Sequence, residues 1–261
     1  MLGMFGGGRF ETIGEQTGEG TTITCSNVGK GTPATIGTTG FDYTGFWLIV
    51  TAANSVAFRL DVVAGSTVIF PDIGCDARSA GANGSPINMW VPLAIPAGTD
   101  LKVQGQASVN NNTLRVLIIG YAGDGYAPPV SGPIIALTGW SGVDSATSAT
   151  PGTTAGTPSA WQEITSSLSR DIAGLYLATN TQADTTRTAG RLIFDIAAGP
   201  AAAEQILFSF QASNNSSVQG DTYGPVWRAI PAGTRLAWRV KPSYTNASPD
   251  VVGLVAHGIA A

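Results

Sequence analysis

Apolar and polar residues alternate along much of this chain, and Gly, Pro, Asn and Ser break the alternation at intervals. Leu101 and Val103 fall on one side, Lys102 and Gln104 on the other. Later, Leu236, Trp238 and Val240 share a face, and Ala237 and Arg239 take the opposite one. A period of two is the signature of a strand with one buried face. On this basis the first half predicts strands at Thr21 to Cys25, Val56 to Val63, Thr67 to Phe70, Asn88 to Leu93, Leu101 to Gln106 and Leu114 to Tyr121. The dense run Phe46-Trp47-Leu48-Ile49-Val50 predicts a strand buried on both faces. Seven or eight short strands separated by turn signals predict an antiparallel sandwich or jelly roll.

One turn occurs twice. Ile95-Pro96-Ala97-Gly98-Thr99-Asp100-Leu101 returns about half a chain later as Ile230-Pro231-Ala232-Gly233-Thr234-Arg235-Leu236. Pro96 with Gly98, and Pro231 with Gly233, end one extended run and begin the next. Other segments match in the same order. Gly31-Thr32-Pro33 pairs with Gly156-Thr157-Pro158, and Gly45-Phe46-Trp47-Leu48 with Gly174-Leu175-Tyr176-Leu177. Asp61-Val62-Val63-Ala64-Gly65 pairs with Asp195-Ile196-Ala197-Ala198-Gly199. Self-similarity over this distance means one structural plan used twice. The expected fold is all-β: two tandem, duplicated, antiparallel β-sandwich or jelly-roll-like domains. The expected boundaries are an N-terminal arm at 1–20, a first sandwich at 21–121, a linker at 122–152 and a second sandwich at 153–261. The linker is rich in Gly and Pro, and Ile134 to Trp140 reads as a short strand inside it.

Composition narrows the class. Hydrophobic residues make up 43% of the 261 and charged residues 11%, against about 25% charged in an ordinary soluble domain. The apolar runs are too short for a membrane helix, which needs about 20 residues. Thr, Ser, Asn, Ala and 34 Gly fill the deficit, which describes a neutral polar surface on a β scaffold. A net charge of −4 with no basic run excludes an electrostatic footprint for nucleic acid. The two cysteines, Cys25 and Cys75, both lie in the first half, and their spacing leaves pairing undecided. Two Cys and one His, His257, are too few for a structural zinc site. The N-terminus lacks the early positive charge and unbroken apolar core of a secretion signal, and Leu2 excludes myristoylation.

Candidate chemistry is sparse. Asp61 and Asp195 occupy matching positions before a turn, each expected to hydrogen-bond that turn rather than to form a glycosidase pair. His257 has no nucleophile-elbow or Cys partner and reads as a surface or interface histidine titrating near neutrality. Asn110-Asn111-Asn112 and Asn214-Asn215-Ser216-Ser217 read as polar loops. Together with Trp90, Trp140, Trp161 and Trp227 they are also candidates for binding sugar hydroxyls. Gly6-Gly7-Gly8 does not lie between a strand and a helix, so it is no phosphate cradle. No catalytic, cofactor-binding or metal residue is assigned, no cofactor is expected, and the chain reads as a non-enzyme.

The N-terminal arm is the remaining feature. Met1, Leu2, Met4, Phe5 and Phe10 are apolar, and Gly6 to Gly8 form a hinge. A frayed end and a segment ordered against a neighbouring subunit both fit; the apolar content leads us to expect the second for residues 1–14.

With its tandem β modules, few charges, abundant Gly, Thr, Ala and Asn, glycine-hinged arm and doubled Pro-Gly turn, the chain resembles structural proteins of tailed bacteriophage virions. Head decoration, collar, tail accessory and fibre or spike-base subunits are the types in question. The resemblance implies a virion protein assembled in the host cytoplasm, partnered by other virion structural proteins and forming homo-oligomers. It brings no catalytic residues. Carbohydrate or receptor binding is the alternative function, with a glycan or receptor as a further partner.

Overall fold

The computed structural model describes residues 8–14, 20–52, 57–76, 87–123, 132–138, 147–181, 190–214, 222–247, 249 and 251–261. Among the described residues nine strands form the first module: β1 Arg9–Ile13, β2 Thr21–Cys25, β3 Ala34–Thr38, β4 Gly45–Ala52, β5 Ala57–Ala64, β6 Thr67–Asp76, β7 Ile87–Val91, β8 Asp100–Ala107 and β9 Asn112–Ala122. Nine more form the second: β10 Ile134–Ala136, β11 Thr147–Ala149, β12 Gln162–Thr165, β13 Ile172–Thr181, β14 Gly190–Ala198, β15 Gln205–Asn214, β16 Thr222–Ile230, β17 Leu236–Pro242 and β18 Val252–Ala260. Strand β1 forms inside the stretch assigned to an arm, and β10 and β11 inside the stretch assigned to a linker.

The first module's sheets run β1-β9-β4-β7, with β2 also on β9, and β3-β8-β5-β6. The second module's run β10-β18-β13-β16, with β11 also on β18, and β12-β17-β14-β15. Every strand has its counterpart nine labels on, in the same place in its sheet. Two antiparallel four-strand orders of this kind, packed face to face, are a jelly roll. The fold is therefore all-β, a jelly roll made twice.

Alternation places the cores. Along β9, Leu114, Val116 and Ile118 are fully buried, with half-exposed residues between them. In β4, Phe46, Leu48 and Val50 point inward and are fully buried, while Trp47 and Ile49 are half-buried on the other face. This corrects the expectation that the run is buried on both sides. Strand β18 is buried on both faces: Val252, Leu254 and Ala256 enter the second core, while Ile259 joins the first.

The twin turns share a conformation. Gly98 has φ +75° and Gly233 φ +79°, the left-handed region that glycine tolerates. The Ala97 amide donates to Asp42 Oδ1 and the Ala232 amide to Asp171 Oδ1, each at 2.7 Å. Gly98 and Gly233 donate to the Thr39 and Leu168 carbonyls.

Candidate functional site at the junction of the modules

The outer face of β10-β18-β13-β16 lies against the side of the first module formed by β6 and β7. Ile134, Tyr176 and Ile259 leave the second module's core and join the first. Phe70 on β6 is fully buried between the Tyr176 ring, 5.2 Å away, and the His257 ring, 5.1 Å away and edge-on. The Tyr176 hydroxyl donates to the Trp90 carbonyl, and burial raises its pKa well above the ordinary range for tyrosine.

His257 corrects the sequence reading. It lies within β18, buried between the modules, where its imidazole donates to the Pro71 carbonyl. Among the described residues Nε2 has no hydrogen-bond partner. Burial pushes its pKa down to about 4, helped by the Lys30 charge and opposed by the Pro71 bond and the Asp72 charge. It therefore stays neutral near neutrality instead of titrating there.

Beside it, on the outer face of β5 and β6, is a polar cluster. Asp61 Oδ1 accepts the Asp72 amide at 2.7 Å and the Lys30 ammonium; Asp61 Oδ2 accepts Gln104 Nε2 at 2.7 Å. Lys30 also pairs with Asp72, and Arg59 lies 3.8 Å from Asp72. Arg59 donates to Gln106, which donates to the Asn27 carbonyl. Asp72 itself is held at φ +52°. The cluster ties β5, β6 and β8 to the loop after β2.

The second module repeats the arrangement with different partners. Asp195 accepts Ser209 Oγ at 2.7 Å, Arg239 Nε at 2.9 Å and Lys241 at 3.3 Å. Burial pushes this carboxyl up, but the Ser209 and Arg239 bonds and the Lys241 charge outweigh it and hold the group below the ordinary carboxylate range. Neither Asp bonds a turn, as the sequence reading expected. Both stand in mid-strand and bind side chains of neighbouring strands. They belong to separate sheets and do not meet in one cleft.

The other singled-out residues scatter. Trp90 is buried, Trp161 lies under Arg239 at 4.5 Å, and Trp227 is 40% exposed; Trp140 lies outside the described residues. Asn112 is buried and donates to the Val109 and Asn110 carbonyls, whereas Asn110 and Asn111 are exposed. Asn215, Ser216 and Ser217 lie outside the described residues. Cys25 is a buried free thiol whose pKa burial raises to about 11. Met1, Leu2, Met4 and Phe5 lie outside the described residues, and Phe10 is on β1. Among the described residues no three His, Cys, Asp or Glu gather for a metal ion, and no helix is long and apolar enough to cross a membrane.

Sequence reasoning missed an aromatic group on the outer face of β1-β9-β4-β7. Phe10 packs 5.0 Å from Tyr121, and Trp47 lies 4.4 Å from Trp90 and 6.5 Å from Tyr121. Phe10 is 53% exposed. The signal was present: Phe10, Trp47, Trp90 and Tyr121 all sit at outward positions of their strands.

No protein-family model matches the chain, and no curated protein does. Solved structures do. One is PNGF-II, at TM-score 0.45 and 9% identity over 97% of this chain; the chain spans 65% of that protein's length. Another is PNGase F, a glycosylasparaginase from Flavobacterium meningosepticum, at TM-score 0.42 and 11% identity over 97% of this chain and 96% of that one. A weaker one is infectious bursal disease virus, Gx strain, at TM-score 0.26 and 12% identity over 97% of this chain and 71% of that one. The expectation that the chain is a non-enzyme is withdrawn, since one of these solved structures is a glycosylasparaginase.

Proposed function

We propose that this chain is a structural subunit of a phage particle, working by assembly with copies of itself and with other particle proteins. The junction carries the reading. Phe70, Tyr176, His257 and Ile259 are buried between the modules, so two jelly rolls act as one rigid block. A rigid body with loops at its ends and few surface charges suits close lateral packing, since charged residues are depleted at the centre of interfaces. To test this, antibodies raised against the chain and tagged with gold are applied to purified particles of the virus that encodes it. Regular labelling at one level of the particle is expected. Unlabelled particles, with the protein confined to the soluble fraction, contradict the proposal.

Glycan or receptor recognition is the second reading, and the Phe10 and Trp47 rings on an outer sheet face favour it, because flat aromatic faces suit such contacts. Glycans titrated against tryptophan fluorescence test it; an unchanged spectrum across a broad panel rules it out.

A further inference from the structure

The duplication supplies a template for assembly, because one module already docks on the other through surfaces that both possess. The register fixes the counterparts. On the docking face, Phe10 pairs with Tyr121 as Ile134 pairs with Ile259. Gly45 pairs with Tyr121 as Gly174 pairs with Ile259, and Trp47 follows Gly45 as Tyr176 follows Gly174. Ile134, Tyr176 and Ile259 of the second module thus correspond to Phe10, Trp47 and Tyr121 of the first. On the receiving edge, Val62 pairs with Phe70 as Ile196 pairs with Phe208. Phe70 of the first module thus corresponds to Phe208 of the second. Trp90 rests in the space above Gly45 and Trp227 above Gly174.

Within the chain, the second module's face is seated on the first module's edge. Ile134, Tyr176 and Ile259 are at most 4% exposed, and Phe70 is fully buried. The complementary pair of surfaces is left over: the first module's face and the second module's edge. Each keeps an aromatic side chain that is exposed or half-buried. Phe10 is 53% exposed and Trp47 half-buried on the face, beside Tyr121 and Trp90, which are buried; Phe208 is half-buried on the edge.

We infer that copies of this chain join head to tail, the β15–β16 edge of one seated on the outer face of β1-β9-β4-β7 of the next, repeating the contact made inside each chain. This rests on the assembly reading above and names its surfaces. A contact between two different surfaces is heterologous, so it builds a ring if its rotation closes and a filament if it does not.

The test uses the full chain and two single variants, Trp47→Asp on the face and Phe208→Asp on the edge, with masses measured by sedimentation velocity and folding by circular dichroism. Each variant keeps one working surface. Wild type is expected to form oligomers and each variant alone to stay monomeric. An equimolar mixture is expected to form a one-to-one dimer that grows no further, because the edge of the first variant meets the face of the second. A self-complementary interface gives no such rescue. If Trp47→Asp fails to fold, Phe10→Asp replaces it on the face; if Phe208→Asp fails to fold, Phe208→Ser replaces it on the edge. Variants that assemble like wild type overturn the surface assignment and leave the assembly reading standing. A mixture that stays monomeric overturns the head-to-tail arrangement. A wild-type chain that is monomeric at every concentration removes both.

Discussion

At residue scale, Gly98 and Gly233 show what the repeat preserves. Both hold a left-handed backbone, and a Cβ added at either meets nothing within 4 Å. Replacement by Ala therefore tests backbone conformation without a clash. Gly98→Ala and Gly233→Ala are each expected to lower stability by about 1 kcal/mol, and the double variant by the sum, since distant sites add. Denaturant titration checks both. The Pro-Gly turn was plain in the sequence because it is local chemistry. The clamps Asp42 and Asp171, which bind each turn from across the sheet edge, were not. His257 was misread for the same reason: nothing near it in the chain reports that β18 is covered on both faces. Its depressed pKa makes a directional prediction. The unfolded imidazole binds a proton near pH 6.5 and the folded one only near pH 4, so stability is full above about 6.5 and falls as the pH drops through that window. The loss is about 3 kcal/mol for a fully realised shift of this size. Asp72 and Lys30 are the charged groups facing it. Unfolding free energies at pH 7 and pH 4 are expected to differ more for wild type than for His257→Phe; equal slopes contradict the assignment.

At the scale of elements, each outer sheet is pinned by one carboxylate in mid-strand. Asp195 gathers Ser209 from β15 and Arg239 and Lys241 from β17, joining three strands. Asp195→Asn removes the counter-charge of two cations that are about a quarter exposed. The expected loss is about 2 kcal/mol, less than for a fully buried pair. Because the folded carboxyl is held low, its contribution persists until the pH falls through the carboxylate range. Guanidinium titration of the variant at pH 7 measures it; an unchanged midpoint sinks this role. The sequence could place Asp61 and Asp195 in matching positions but not assign their partners, since those lie on strands distant in the chain. It also predicted no strand at Ala34–Thr38 or Arg9–Ile13. Gly37 interrupts the first, where an added Cβ would lie 3.1 Å from Ile13 Cβ. The second carries Arg9, Glu11 and Thr12 among its five residues, too weak an alternation to stand out.

At the scale of the whole molecule, the duplication was legible because whole segments repeat in order, and strand pairing then follows from inward alternation. The junction was not, because outward-facing apolar residues in β18 and β13 look like any core strand until a second module is laid on them. The fusion has a thermodynamic consequence. Phe70 and Tyr176 are buried against one another across the junction, so the chain is expected to unfold in a single calorimetric transition. Phe70→Ala removes a large buried ring, a loss of about 3 to 5 kcal/mol in a core, and is expected to separate the transition into two. A single transition in the variant, or two in wild type, contradicts a coupled junction. The central claim is that the chain is a building block whose internal contact is also its assembly contact. Cryo-electron microscopy of the purified full chain at rising concentration tests it most directly. The account predicts rings or filaments in which the spacing between modules of one chain equals the spacing between modules of adjacent chains; isolated 26.6 kDa particles at every concentration would contradict it.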